Sequence, residues 1–287
     1  MNEAEKREME IYLGRNLDET AANLKPFLRR GDHVLDVGCG PGRITLDVAR
    51  RVNPGKVVGF DYVAHRVDQA KDLAREQQRD NTSFLVGDAN EVPFDDNTFD
   101  VVYSHTVLHY FWNPEAALRE QRRVLKPNGW LIGAGVRDWG LVQRYPKCPN
   151  WDALLRARVE FAAAVSKRDK WERRPCLIFT ETGRRCPQWF SALGMKDLQV
   201  QIEPYKLEYP GAEGMDPTGM DLLPWDGEDR IGYFADYRAE YESIIAAGYL
   251  KADTLTLAME EARQWFRNPA AFHFYAMVFV AGRKPAR

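Results

Sequence analysis

Long apolar runs are missing from this chain. Nothing in it approaches the roughly 20 apolar residues that a membrane-spanning helix needs. The opening MNEAEKREMEIYLGRN carries charge where a secretory leader would carry an apolar stretch. No membrane span and a cytoplasmic address are therefore expected. Cysteine is scarce: Cys39, Cys148, Cys176 and Cys186 show no CxxC spacing and are too few for a disulfide scaffold. Neither a zinc site nor any other metal site is expected. An excess of charge of one sign is absent too, since 40 basic against 42 acidic residues leave a formal charge of −2. Nothing broad draws such a surface toward polynucleotide phosphates or anionic lipid, so nucleic acid is not an expected partner. What the 287 residues do hold is 45% hydrophobic and 12% aromatic content, enough for a sizeable globular core.

From about residue 30 to 137 the chain repeats one rhythm: a short β-branched run, a turn, then an amphipathic stretch at helical spacing. HVLDV (33–37), KVVGF (56–60), SFLV (83–86), FDVVYS (99–104) and WLIGAGV (130–136) are the strand candidates. They are almost continuously apolar, as strands covered on both faces should be, so the rhythm predicts a parallel sheet. Val63, Val67, Ala70 and Ala74 mark one face of the helix between the second and third strands. Asn113-Pro114 reads as an N-cap with proline in the first turn, and Lys126-Pro127-Asn128-Gly129 as the turn into the fifth strand. Beyond Val136 the rhythm breaks. Residues 138–195 and 211–270 read as helices and loops, with Ile231, Phe234, Tyr237, Tyr241, Ile244 and Ile245 on one helical stripe. LQVQIEPYKLEY and FHFYAMVFVAGRK alternate like two last strands. The division expected is a cofactor-binding part, 1–137, and a remainder, 138–287, with helical acceptor-binding insertions.

The chemistry concentrates after the first strand. Asp36 leads into Gly38-Cys39-Gly40-Pro41-Gly42 and then the helical ITLDVARRV, so backbone without Cβ approaches closely where a helix N-terminus points outward. A nucleotide-binding dehydrogenase also places glycines there, but with GxGxxG spacing, and the spacing here is GxGxG. Asp61 closes the second strand about twenty positions on, where a carboxylate can accept both hydroxyls of a ribose. Asp88 closes the third strand, a position for which a dinucleotide fold has no standard need.

The ordered segments HVLDVGCGPGRITLDVA, VVGFDYV, FLVGDANEVPF, FDVVYSHTVLHYFWNP and RVLKPNGWL resemble the motifs of class I S-adenosylmethionine-dependent methyltransferases. They are similar in particular to the small-molecule branch that includes the ubiquinone and menaquinone biosynthesis enzymes. The resemblance covers roughly residues 10 to 137. It implies an α/β, doubly wound seven-stranded sheet in order 3-2-1-4-5-7-6, strand 7 antiparallel, with helical insertions after strands 5 and 6. It also implies S-adenosyl-L-methionine as cofactor and S-adenosyl-L-homocysteine as product. Under it Asp36, Gly38, Gly40 and Gly42 line the methionine part, with Cys39 a small packed residue of the same loop. Asp61 holds the ribose, Tyr62 packs on adenine, and Asp88 with the Ala89 backbone reads the adenine amino group. Ser104 and His105 face the methionyl end, and Tyr12 and Arg15 belong to an N-terminal segment closing over the cofactor carboxylate.

Methyl transfer from a sulfonium is an in-line displacement with a neutral leaving group, so alignment and exclusion of water are the main tasks. Where the acceptor must lose a proton, a histidine is suited to assist. His105 and His109, four residues apart after the fourth strand, are the candidates, while His33, His65 and His273 read as structural or solvated. Trp139, Arg144, Tyr145, Trp151, Trp171, Trp225, Tyr233, Phe234 and Tyr237 supply aromatic surface for a small aromatic or apolar acceptor, although aromatic residues at helical spacing more often build core. The expected function is O- or C-methylation of a small organic molecule. Two alternatives stand beside it: a non-catalytic cofactor-binding scaffold, and an arsenite methyltransferase using Cys148, Cys176 and Cys186, whose spacing does not match that family's arrangement.

Overall fold

The computed structural model describes residues 14–111, 113–137, 143–166, 182–208, 241–268 and 270–286. Its strands are β1 (His33–Val37), β2 (Lys56–Asp61), β3 (Thr82–Val86), β4 (Phe99–His105), β5 (Leu125–Arg137), β6 (Gln143–Tyr145), β7 (Lys196–Glu208) and β8 (Phe272–Arg283). The helices are α1 (Arg43–Val52), α2 (Ala64–Glu76), α3 (Pro114–Val124), α4 (Pro149–Ser166), α5 (Thr182–Ala192) and α6 (Ala252–Arg267). The chain divides into two compact units. One is Met1–Asp138 with Glu181–Glu203 and Met277–Arg287, and the other is Trp139–Thr180 with Pro204–Ala276.

In the first unit the sheet runs β3-β2-β1-β4-β5-β8, the first five strands parallel and β8 antiparallel to β5. This is the expected α/β order, with FHFYAMVFVAGRK as the antiparallel strand and β7, from LQVQIEPYKLEY, pairing β8. Side-chain alternation settles what each strand buries. Val34, Val57, Val101, Tyr103 and Ile132 share one core with Leu24 and Phe27 of a short 3-10 helix (Ala22–Phe27) and with Ile44, Val48 and Val52 of α1. A second cluster joins Leu46 of α1 to Val67, Ala70 and Ala74 of α2 and to Phe84 of β3. Each large aliphatic side chain buried this way contributes about 1.5–3 kcal/mol, so the α1 face alone outweighs its weak capping. The α3 start is as read from sequence: Asn113 Oδ1 accepts the Ala116 N–H at 3.0 Å and Pro114 stands in the first turn.

Two local expectations change. The Lys126–Gly129 turn lies inside β5, because Leu125 already pairs with Phe99 before the register shifts and Trp130 pairs with Val101. Asn128, at φ 64°, donates its N–H to the Lys284 carbonyl, and Lys284 returns its N–H to Gly129, so β8 clasps the bulge. In the second unit a three-residue strand, β6, pairs with Phe272–Phe274 of β8 inside a stretch read as helix and loop; three residues are too few to show a period. That unit has its own core of Cys148, Trp151, Leu154, Tyr241, Ile244 and Trp265, with Ile245 packed against it. Trp151 and Trp265 meet edge to face at 6.0 Å, and the Glu261 carboxylate accepts the Asn150 and Trp151 N–H groups at the start of α4.

Candidate functional site

The glycine loop is stitched to the end of β2. Gly38 and Cys39 both donate their N–H to the Phe60 carbonyl, at 2.7 and 3.2 Å, and Gly40 donates to Asp61 Oδ2 at 2.8 Å. The other Asp61 oxygen, Oδ1, accepts the Val63 N–H at 2.9 Å. One buried carboxylate therefore fixes both the loop before α1 and the turn into α2. Gly38, Gly40 and Gly42 all have positive φ (82°, 54° and 81°). At Gly38 the requirement is doubled, because a Cβ there would lie 2.4 Å from Val107 Cγ2.

Asp36 sits under this loop rather than in it. Its side chain is buried and Oδ2 accepts the Thr45 hydroxyl at 2.6 Å. Burial pushes its carboxyl up to about 7, against the Thr45 hydrogen bond and with a further push from Asp61. The buried Tyr103 hydroxyl lies close by without a well-aligned hydrogen bond. The same burial, with Asp36 and Asp61 nearby, drives the Cys39 thiol well above its ordinary range, so it is no thiolate nucleophile. Across the strand ends, Tyr62 is 60% exposed. Asp88 is exposed, and Ala89, itself buried, has an N–H without a partner among the described residues.

At the end of β4 the structure engages Ser104 and His105 with different neighbours. Ser104 is fully buried and donates to Gln121 Oε1 of α3 at 3.1 Å, so its hydroxyl is engaged by that helix. Alternation puts His105 on the opposite side, 7% exposed, with Nε2 3.0 Å from the Thr20 carbonyl. A carbonyl only accepts, so Nε2 carries the proton. Burial, aided by Arg15, pulls this imidazole down to about 4. His109, in the 3-10 turn Leu108–Tyr110, is fully buried, and its Nδ1 accepts the Arg137 N–H at 3.4 Å. Burial and then Arg137 hold it well below the ordinary imidazole range. Both histidines are neutral at physiological pH, and the Nε2 of His105 is committed to the main chain. Nδ1 of His105 is buried without a hydrogen-bond partner among the described residues and keeps its lone pair, made weakly basic by burial, whereas Nδ1 of His109 is engaged by the Arg137 N–H.

Arg15 donates to Thr106 Oγ1 at 2.7 Å, and Leu17 donates its N–H to Asp47 Oδ2 at 3.0 Å. Together with the His105 bond to Thr20, these fasten residues 15–20 over the ends of β4 and α1. Thr106 has φ 54°, a conformation costing a β-branched residue about 1–2 kcal/mol. Thr45, Thr106 and Val107 were not singled out from sequence, because nothing in residue type or spacing announces a tether or a clash formed across the fold. Tyr12 lies outside the described residues, as do Trp139, Trp171, Cys176, Trp225, Ile231, Tyr233, Phe234 and Tyr237. The side chains of Arg144 and His273 are likewise not described. Of the other aromatic candidates, Tyr145 is exposed and Trp151 is core. Cys148 and Cys186 are buried, and no cluster of metal-ligating side chains occurs among the described residues.

A parallel sheet in this order, ending in a glycine loop pinned by an acidic residue at the second strand, defines a class I methyltransferase fold. Residues 28–183, more than half of the chain, match the family described as a methyltransferase domain, and the chain belongs to that family. It is 33% identical over 157 residues to an uncharacterized methyltransferase of Schizosaccharomyces pombe, covering 52% of this chain and 55% of that one. It is 36% identical over 106 residues to a demethylmenaquinone methyltransferase of Staphylococcus aureus, covering 37% and 43%. The chain thus spans about half the length of these curated relatives. Among solved structures it is similar in fold to phosphoethanolamine N-methyltransferase 2 of Haemonchus contortus in complex with S-adenosyl-L-methionine. The TM-score is 0.51 at 18% identity, covering 93% of this chain and 52% of that one. No helix among the described residues is long and apolar enough to cross a membrane.

Proposed function

We propose that this protein transfers a methyl group from S-adenosyl-L-methionine to a small organic acceptor, at oxygen or carbon. One observation carries the reading: Asp61, at the carboxyl end of β2, holds the glycine loop through Gly40 and still has acceptor capacity. An ionised carboxylate offers about four acceptor sites, and two are taken by the Gly40 and Val63 N–H groups. The remaining groups fit an adenosine. A side chain at Gly40 would meet nothing within 4 Å, Tyr62 offers an exposed ring face, and the Ala89 N–H is unpartnered among the described residues.

In this reading Asp61 accepts the ribose hydroxyls, Asp88 and the Ala89 N–H receive the adenine edge, and Gly38, Gly40 and Gly42 let the main chain approach the methionyl part. The bound cofactor supplies an electrophilic methyl on a sulfonium, whose departure leaves a neutral thioether. The chain's own contribution is alignment and exclusion of water, for which residues 15–20 are fastened across the strand ends by Arg15 and His105. Of the two neutral histidines, His105 keeps an Nδ1 lone pair unpartnered among the described residues, weakly basic because it is buried, and His109 is held by the Arg137 N–H.

Calorimetry tests the reading. S-adenosyl-L-homocysteine is expected to bind in the micromolar range and NAD not at all. Asp61→Asn, which removes the charge and sets Nδ2 against one of the Gly40 and Val63 N–H groups, should weaken that binding by about 1–3 kcal/mol, roughly five- to 150-fold. Binding of NAD in place of S-adenosyl-L-homocysteine, or an affinity untouched by Asp61→Asn, would overturn the proposal.

A further inference from the structure

Asp88 is held by one neighbour in an unequal way. Its Oδ1 accepts two hydrogen bonds from Asn90, one from the main-chain N–H and one from side-chain Nδ2, both at 2.8 Å. The Asp88 carbonyl accepts the Glu91 N–H at 3.0 Å, closing the turn. Oδ2 has no partner among the described residues. The Asn90 amide is fixed by the charge it faces, since reversing it would set its oxygen against the carboxylate. It keeps this orientation although its own Oδ1 is buried without a partner. A residue serving only to shape the turn would need the main-chain bond alone; the second bond, from Nδ2, acts on the direction of the carboxylate.

We infer that Asn90 is a specificity-determining positioning residue: by saturating Asp88 Oδ1 it presents Oδ2 as the single acceptor that selects a 6-amino purine over a 6-oxo purine. The inference rests on the proposed placement of the cofactor's adenine at Asp88. An exocyclic amine donates to a carboxylate oxygen, whereas a 6-oxo group sets a second acceptor against it, so the sign of the interaction reverses. Without Asn90 Nδ2 the exposed Asp88 carboxylate is held at Oδ1 by the Asn90 main-chain N–H alone and presents Oδ2 toward the base less firmly.

The test compares the affinities of S-adenosyl-L-homocysteine and its 6-oxo analogue, S-inosyl-L-homocysteine, by calorimetry on the full chain. Asn90→Ala should narrow the preference for the amino form by about three- to tenfold, chiefly by weakening S-adenosyl-L-homocysteine, with the thermal midpoint unchanged. Asn90→Ser, which restores a short donor, should recover part of the preference. Asp88→Asn should narrow it at least as far as Asn90→Ala. If Asn90→Ala and Asn90→Ser weaken both ligands equally, or neither, while Asp88→Asn narrows the preference, the role given to Asn90 is wrong and the cofactor placement stands. If Asp88→Asn also leaves the preference unchanged, the adenine is not at Asp88 and both fall.

Discussion

His105 and Asp36 pull the pH dependence of stability in opposite directions, and removing one should expose the other. In the unfolded chain His105 has the ordinary imidazole value of 6.5, and in the folded chain about 4. Between those values the unfolded state holds a proton that the folded state does not. Stability from this group therefore rises with pH by about 1.4 kcal/mol per unit, or about 3 kcal/mol across the window. Asp36 goes from 3.8 to about 7, so the folded state keeps a proton that the unfolded state has lost. Its contribution is fully present below 3.8 and is lost with the same slope as pH rises toward 7. His105→Gln removes the first contribution while leaving an N–H for the Thr20 carbonyl. Urea unfolding followed by tryptophan fluorescence measures the stability difference between wild type and variant. That difference should move by about 2 kcal/mol in favour of wild type between about pH 5 and 6.5, then level off. Asp36→Asn should give the opposite trend. A difference independent of pH in His105→Gln would refute the claim that burial lowers the His105 imidazole from its ordinary value.

Two further substitutions test the frame around the site. Gly38→Ala combines a positive φ of 82° with a Cβ 2.4 Å from Val107 Cγ2, and should cost about 2–4 kcal/mol in urea unfolding. Adding Val107→Ala removes the Cγ contacts at 2.4 and 2.7 Å but leaves Cβ at 2.8 Å, so it should recover part of the clash and none of the backbone strain; full recovery, or none, would contradict this account. Lys284 Nζ donates to the carbonyls of Arg122, Arg123 and Leu125 and to Asn97 Oδ1, at 2.8, 3.3, 2.6 and 2.9 Å, closing the carboxyl end of α3. Lys284→Met should lower stability by about 2 kcal/mol, the charged hydrogen bonds outweighing the desolvation that depresses the lysine's pKa. Calorimetry should show S-adenosyl-L-homocysteine affinity unchanged, since Lys284 lies at the opposite end of β4 from the glycine loop.

The amino-acid sequence determined the parallel half of the sheet, the Asn113 cap, the existence of the last strand and the positions of Asp61 and the glycines, while the antiparallel direction of that strand came from the family resemblance. Those signals are local: an apolar run bounded by a turn, a proline in a first helical turn, a glycine where φ must be positive. It set Ser104 and His105 side by side toward the methionyl end, although the two-residue period of β4 turns neighbouring side chains to opposite faces. Which face is sealed beneath α3 and which lies under residues 15–20 is not written in that period. The structure decided it by bringing Gln121 to Ser104 and the Thr20 carbonyl to His105 across 85 positions of chain. Side-chain protonation followed the same rule. A histidine reads as a base by residue type, but burial and the partner of each ring nitrogen settle its proton, and both are properties of distance in space rather than distance along the chain.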